Sequence, residues 1–154
     1  MKQEIELVST QSAHVRVAQP HDSDRIADLA GQLGYPSTGE EVRKRLSQMQ
    51  DANQYAVFVV ENPTGQIAGW IGVRVFRNVE ISNCAEITGL VVDQEGRSRG
   101  VGRRLLDAAE EWARSIGCTA ISVRSNVTRD RAHQFYAANA YEHVKTQKEL
   151  RKKL

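Results

Sequence analysis

Apolar residues recur along this chain with two periods, two and about 3.6, in an order that lays out strands and helices in turn. Val15 and Val17 alternate with polar neighbours, a short strand that stops at Pro20. Asp22 is placed to cap a helix on which Ile26, Leu29, Ala30 and Leu33 share a face, ending at Gly34. After Tyr35 and Pro36, Thr38 followed three residues later by Glu41 forms a capping box, and Val42, Leu46 and Met49 give the next helix one narrow apolar stripe. Tyr55 to Val60 and Ile67 to Phe76 read as strands joined at the turn Asn62-Pro63-Thr64-Gly65, hence an antiparallel pair. A polar loop from Arg77 to Asn83 precedes a strand from Ala85 to Val92. Strict alternation there puts Glu86, Thr88, Leu90 and Val92 on one face and Ile87, Gly89 and Val91 on the other.

The second half repeats the scheme with the longest helix. Val101, Leu105, Ala109 and Trp112, widened by Leu106, Ala108 and Ala113, mark an amphipathic helix that stops at Gly117, and Ala120 to Val123 is strand again. Strand, crossover helix and strand of this length form a βαβ unit, so these two strands are expected to lie parallel. Thr128 or Asn126 is placed to cap a last helix carrying Ala132, Phe135, Tyr136 and Asn139. Tyr141 to Leu150 then alternates as one or two closing strands would. Residues 1–13 read as a tail or edge segment and 14–154 as a single domain. The fold class is α/β, with a mixed sheet.

Composition narrows the classes. The 154 residues, 40% apolar and 26% charged, are the makeup of an ordinary globular domain, and a net charge of +2 is too balanced for a dedicated nucleic-acid binder. Neither an apolar run of the ~18 to 20 residues a membrane span needs nor the apolar core of a signal peptide is present, so a soluble, cytoplasmic protein is expected. Cys84 and Cys118 have no pairing or metal-ligand spacing, the four histidines are scattered, and no metal site is expected.

What does gather is positive charge. Between the strand GLVVD and the helix RRLLDAA lies Arg97-Ser98-Arg99-Gly100-Val101-Gly102, with Arg103 and Arg104 directly after. A helix start offers unpaired N–H groups and roughly half a positive charge from its dipole, and glycine lets a bulky anion approach the backbone. The spacing is neither that of a P-loop nor that of the dinucleotide fingerprint. The turn resembles the Arg/Gln-x-x-Gly-x-Gly/Ala fingerprint of the GNAT superfamily of acyl-CoA-dependent N-acetyltransferases. RAHQFYAANAY, with Phe135, Tyr136 and Tyr141, is similar to that family's closing motif, with Ala140 in place of a glycine that allows positive φ. The order of elements from about residue 14 to 150 also matches.

This resemblance implies a mixed sheet of six to seven strands with about four helices, splayed between the fourth and fifth strands around acetyl-CoA as cosubstrate. Leu90, Val91 and Val92 would pair with the pantetheine arm through their backbone. Arg97, Ser98, Arg99, Gly100, Val101, Gly102 and Arg103 would hold the pyrophosphate. Asn126 or Arg129 would make the further cofactor contact that an Asn near the last helix makes in several relatives.

The reaction implied is acetyl transfer to a primary amine by direct attack in a ternary complex. A protonated amine cannot attack a thioester, so a carboxylate or a relayed water must take a proton. Glu86 is the candidate base, with surface carboxylate or salt-bridge partner as the competing reading. A backbone N–H near Leu90 or Val91 is the candidate oxyanion donor, and Tyr136 the group that protonates or hydrogen-bonds the departing thiolate. The alternative function is an acyl-CoA-binding or regulatory domain without turnover. The acceptor is a small-molecule or peptide amine, and Tyr35, Glu40, Glu41, Glu80 and Glu86 suit a cationic one. Neither nucleic acid nor membrane is an expected partner. Many relatives are homodimers, but the sequence marks no interface.

Overall fold

The computed structural model describes residues 13–97 and 99–154, so the expected N-terminal segment lies, but for Ala13, outside the described residues. Five strands form one sheet in chain order: β1 (His14–Val17), β2 (Tyr55–Glu61), β3 (Ile67–Phe76), β4 (Cys84–Val92) and β5 (Ala120–Val123). β1 to β4 pair antiparallel and β5 joins β4 parallel. Four helices accompany it: α1 (Ser23–Gln32), α2 (Gly39–Ser47), α3 (Val101–Ser115) and α4 (Asp130–Ala138).

The core has two parts, one on each face of the sheet. On one, Leu105, Leu106, Ala109 and Ala113 of α3 pack on Val60, Ile71, Val73, Ala85 and Ile87, with Phe135 and Tyr136 of α4 and Tyr141 at the margin. Leu105 and Leu106 are fully buried, and each contributes about 2 kcal/mol by leaving water. On the other face Ile26, Ala27 and Leu29 of α1 and Val42 of α2 meet Val59, Val91 and the edge of Trp70.

Local signals read from the sequence build several of these elements as expected. Thr38 Oγ1 accepts from the Glu41 N–H while the Glu41 carboxylate accepts from the Thr38 N–H, the reciprocal capping box. In the β2–β3 turn, the Asn62 side-chain oxygen accepts from the amides of Thr64 and Gln66, and Gly65 takes φ +83°. Ala140, standing where the motif has glycine, is held at φ +67° after α4. That left-handed conformation costs an alanine about 1 kcal/mol.

Four expectations are corrected. Among the described residues the sheet has five strands rather than six to seven, because Tyr141 to Leu150 form none. Val144 and Leu150 are 86% and 90% exposed, so their alternation has no apolar surface to bury and nothing to fix it as strand. Asp22 stands at the start of α1 without capping it. Its carboxylate instead accepts two hydrogen bonds from Arg16, at 2.8 and 2.9 Å, and one from the Gln19 N–H. Arg129, not Thr128 or Asn126, is the residue that precedes α4; the Asn126 oxygen is taken by the N–H and hydroxyl of Thr128. The fourth correction is a change of phase within β4. Gly72 pairs with Gly89 and Val73 with Ile87, so Thr88 is an extra residue, a bulge. Beyond it the faces exchange: Leu90 and Val92 join Ala85 and Ile87 on the α3 side, while Val91 faces α1.

Asp22 also makes the fold's acid sensitivity calculable. Burial works to raise its carboxyl, but the hydrogen bonds from Arg16 and Gln19 and the neighbouring positive charges outweigh it, so it titrates below its ordinary 3.8. A carboxylate depressed by folding stabilises above its unfolded pKa and loses that contribution as pH falls through the folded one. Asp22→Asn should therefore lower stability by about 3 kcal/mol at pH 7, and the gap to the parent should narrow below pH 3.8. Urea titrations at several pH values check both.

Candidate active site

The β4–β5 ladder ends where the bulge begins. Its last pair is Ile87 with Val123, so Thr88 to Val92 have a strand neighbour on the β3 side only, and the sheet opens between β4 and β5. Two glycines accommodate the bulge. A Cβ at Gly72 would stand 2.6 Å from the Thr88 hydroxyl, and one at Gly89 would stand 2.8 Å from the Trp70 ring, which lies over that face.

At the far end of the exposed edge the chain turns into α3. Gly100, at φ +78° with open space where a Cβ would be, directly precedes the helix. The first i→i−4 bond of α3 runs from the Arg104 N–H to the Gly100 carbonyl, so the amides of Val101, Gly102 and Arg103 precede the ladder. Arg97 and Arg99 are exposed beside them, while Ser98 lies outside the described residues. Arg97 reaches back to the Val92 carbonyl at 3.4 Å. Gly102 has a packing role that the sequence did not reveal: a Cβ there would stand 3.2 Å from the Phe135 ring, so its absence lets α4 close on α3. Arg103 is held by Asp107 and by the Asn139 side chain, and Arg104 turns away to the Ala13 carbonyl.

The loop is held to the opposite helix. Arg25 of α1 donates to Asp93 and to the Ile67 carbonyl, and Gln32 donates to Asp93 and accepts from the Gln94 N–H. Burial works to raise the Asp93 carboxyl, but these hydrogen bonds and the Arg25 charge hold it below its ordinary range. Across the gap, Arg129 at the start of α4 donates to the Leu33 carbonyl at the end of α1, so it ties the two sides of the opening together. Asn126, its companion in the sequence reading, has its side-chain oxygen engaged within the β5–α4 turn.

Tyr136 lies mostly buried between the rings of Phe135 and Tyr141, with centroids 5.3 and 5.4 Å away. Burial pushes its phenol up to about 12, against a small opposing pull from Arg129. It is fully protonated near neutrality and is a hydrogen-bond donor there.

Glu86 faces the α1 side, one residue before the last ladder pair, and is 6% exposed. Its Oε1 accepts from Arg124 Nε at 3.0 Å and Nη2 at 2.6 Å; its Oε2 accepts from Arg74 Nη2 at 3.3 Å. The sequence suggested a salt-bridge partner for Glu86 but named none. Arg74 is the register partner of Glu86 on β3, and Arg124 follows the last paired residue of β5; only the strand order brings them together.

Elsewhere, a shallow groove of about 680 Å³ runs between β1 and α3, lined by Val15, Phe58, Arg104, Ala108 and Trp112 among others, at the opposite edge of the sheet from β5. Among the described residues no three His, Cys, Asp or Glu side chains gather as metal ligands would, both cysteines are free, and no helix is long and apolar enough to cross a membrane.

An unpaired strand edge suits the amide groups of a pantetheine arm, and helix-start amides beside exposed guanidiniums suit its pyrophosphate. The residues present thus fit acetyl-CoA. Reversing charge at Arg97 and Arg99 together should weaken acetyl-CoA binding by about tenfold or more, measured by titration calorimetry, with the unfolding temperature of the free protein unchanged.

Comparison with known proteins agrees. The chain is 29% identical over 133 residues, 83% of its length and 85% of the relative's, to an aminoglycoside N(6')-acetyltransferase type 1 of Stenotrophomonas maltophilia. Its fold is similar to that of an aminoglycoside 6'-N-acetyltransferase from Acinetobacter baumannii, at TM-score 0.81 and 16% identity over 93% of this chain and 99% of that one. It is also similar to glucosamine-6-phosphate N-acetyltransferase from Arabidopsis thaliana, at TM-score 0.77 and 20% identity over 92% and 99%. With residues 24–141 matching its profile and the opened sheet and glycine-led helix start in place, the chain belongs to the Acetyltransferase (GNAT) family.

Proposed function

We propose that this enzyme transfers the acetyl group of acetyl-CoA to a primary amine by direct attack in the opening between β4 and β5. The observation that carries the reading is the coincidence of three features along one line: the bulge at Thr88, the unpaired edge to Val92, and the helix start at Gly100. Acetyl-CoA supplies the activated acyl group; the protein's part is to bind, orient and manage protons. Backbone N–H groups near Leu90 and Val91 would face the carbonyl oxygen as charge develops on it, a fixed dipole that needs no reorganisation.

Tyr136 serves the leaving thiolate as a donor that keeps its proton. Its phenol, at about 12, is a weaker acid than an ordinary thiol near 8.5, so complete transfer would be roughly 5 kcal/mol uphill. Glu86 is the proposed base. With both its oxygens accepting from guanidiniums, it meets the amine through a relayed water rather than by direct abstraction. The relatives act on small-molecule amines by their names, and the acceptor of this chain is proposed to be of that kind.

Free CoA should be released from acetyl-CoA only when an acceptor amine is added; binding without amine-dependent release would assign the chain to the acyl-CoA-binding alternative instead. Tyr136→Phe should lower kcat by about tenfold to a hundredfold while acetyl-CoA affinity stays within about threefold, measured by steady-state kinetics alongside calorimetry. Glu86→Gln should lower kcat/KM by a similar factor and flatten its acidic limb; an unaltered pH profile would leave Glu86 as an ion-pair partner alone.

A further inference from the structure

The charge at the mouth of the opening does not balance. Arg74 and Arg124 converge on one carboxylate, Glu86, and among the described residues neither makes an ion pair with any other acid. The arrangement therefore carries one positive charge in excess. Arg74 Nε is buried with no hydrogen-bond partner, a donor left unpaired in a guanidinium that is otherwise partly accessible. Arg124 has 69% of its side chain exposed and uses only Nε and Nη2 on Glu86. Glu80, on the loop that joins β3 to β4, pairs with neither arginine.

The position of this excess matters. Arg124 directly follows Val123, the last β5 residue paired to β4, so it stands where the opening begins and on the face shared by Glu86 and Trp70. An amine attacking beside Leu90 would be two residues along β4 from Thr88, which lies across from Arg124, and four from Glu86, about 7 and about 13 Å.

Resting on the acetyltransferase reading above, we propose that the Arg74–Glu86–Arg124 cluster is an acceptor subsite for an oxyanion. It selects small amines that also carry a phosphate, phosphonate or carboxylate. Glu86 holds the two guanidiniums in a fixed fork, and the oxyanion of the acceptor supplies the missing negative charge and accepts from the exposed Arg124 guanidinium and the accessible terminal nitrogens of Arg74, while Arg74 Nε stays buried. The subsite disfavours polycationic acceptors, which would bring further positive charge to two arginines. This reverses the cationic preference that the acidic residues suggested in the sequence.

The test compares paired amines that differ only in or near the oxyanion: glucosamine 6-phosphate against glucosamine, and 2-aminoethylphosphonate against ethanolamine, with spermidine as the polycation. CoA release is measured for the parent chain, Arg124→Gln, Arg124→Lys and Arg74→Gln. Acetyl-CoA binding to each variant is followed by thermal shift, so that only folded, donor-competent variants are compared. In the parent, kcat/KM should favour the oxyanion-bearing member of at least one pair by about tenfold or more. Arg124→Gln and Arg74→Gln should reduce that ratio towards one, chiefly through KM, and Arg124→Lys should restore part of it. A preference for spermidine, or a ratio that survives Arg124→Gln, would overturn the subsite and leave acetyl transfer standing. No release with any amine, despite acetyl-CoA binding, would overturn both.

Discussion

One extra residue in β4 governs how this molecule can work. The extra residue at Thr88 is absorbed against β3, whose pairing resumes at Gly72 and Gly89, and the pairing with β5 ends at Ile87, just before it. That leaves Thr88 to Val92 with peptide groups facing a gap, which in a closed sheet would be spent on pairing. It also turns the faces over. Without the bulge Leu90 and Val92 would face α1; with it they pack towards α3 and leave the other face to Trp70, Val91 and Glu86. The glycines at 72 and 89 follow from the same constraint, since side chains there would meet Thr88 and Trp70.

The remaining elements hold the two sides of the gap in place. α3 is anchored by its fully buried leucines, and Gly102 lets Phe135 bring α4 against its first turn. On the opposite face the Arg25–Asp93–Gln32 contacts fix the loop that leads into α3, and Arg129 reaches from α4 to the end of α1. Glu86 closes the paired end of the gap. A buried carboxylate is tolerated only with partners. Here the partners come from both neighbouring strands, so the ion pairs join β3, β4 and β5 just before β5 departs. Two arginines on one carboxylate leave the mouth of the opening with unbalanced charge.

Much of this was legible in the sequence where the signal is local. The capping box at Thr38, the Asn62 to Gly65 turn and the glycine-led start of α3 each depend on residues within a few positions of one another, and each formed as read. At Ala140 the motif left a strained or a re-routed backbone open, and the chain takes the strained one, at φ +67°. What escaped depends on residues far apart. Thr88 looks like one more step of an alternating strand until its partners on β3 are known. The arginines on Glu86 lie 12 and 38 residues away, and nothing in their neighbourhoods marks them. Asp22 has the sequence of a cap, but the half-buried Arg16 guanidinium competes for its buried carboxylate more strongly than helix amides do. The alternation from Tyr141 to Leu150 misled for the opposite reason: the pattern is there and the apolar surface to receive it is not.

On the reading proposed above, the strand edge left open at the bulge holds the acyl donor. Amide hydrogen exchange, recorded with and without saturating CoA, addresses it residue by residue. CoA should slow exchange at amides within Thr88 to Val92 and at Val101, Gly102 and Arg103, and leave the β1 side of the β1–α3 groove unchanged. Protection confined to that groove, or absent from the β4 edge while CoA is bound, would contradict it.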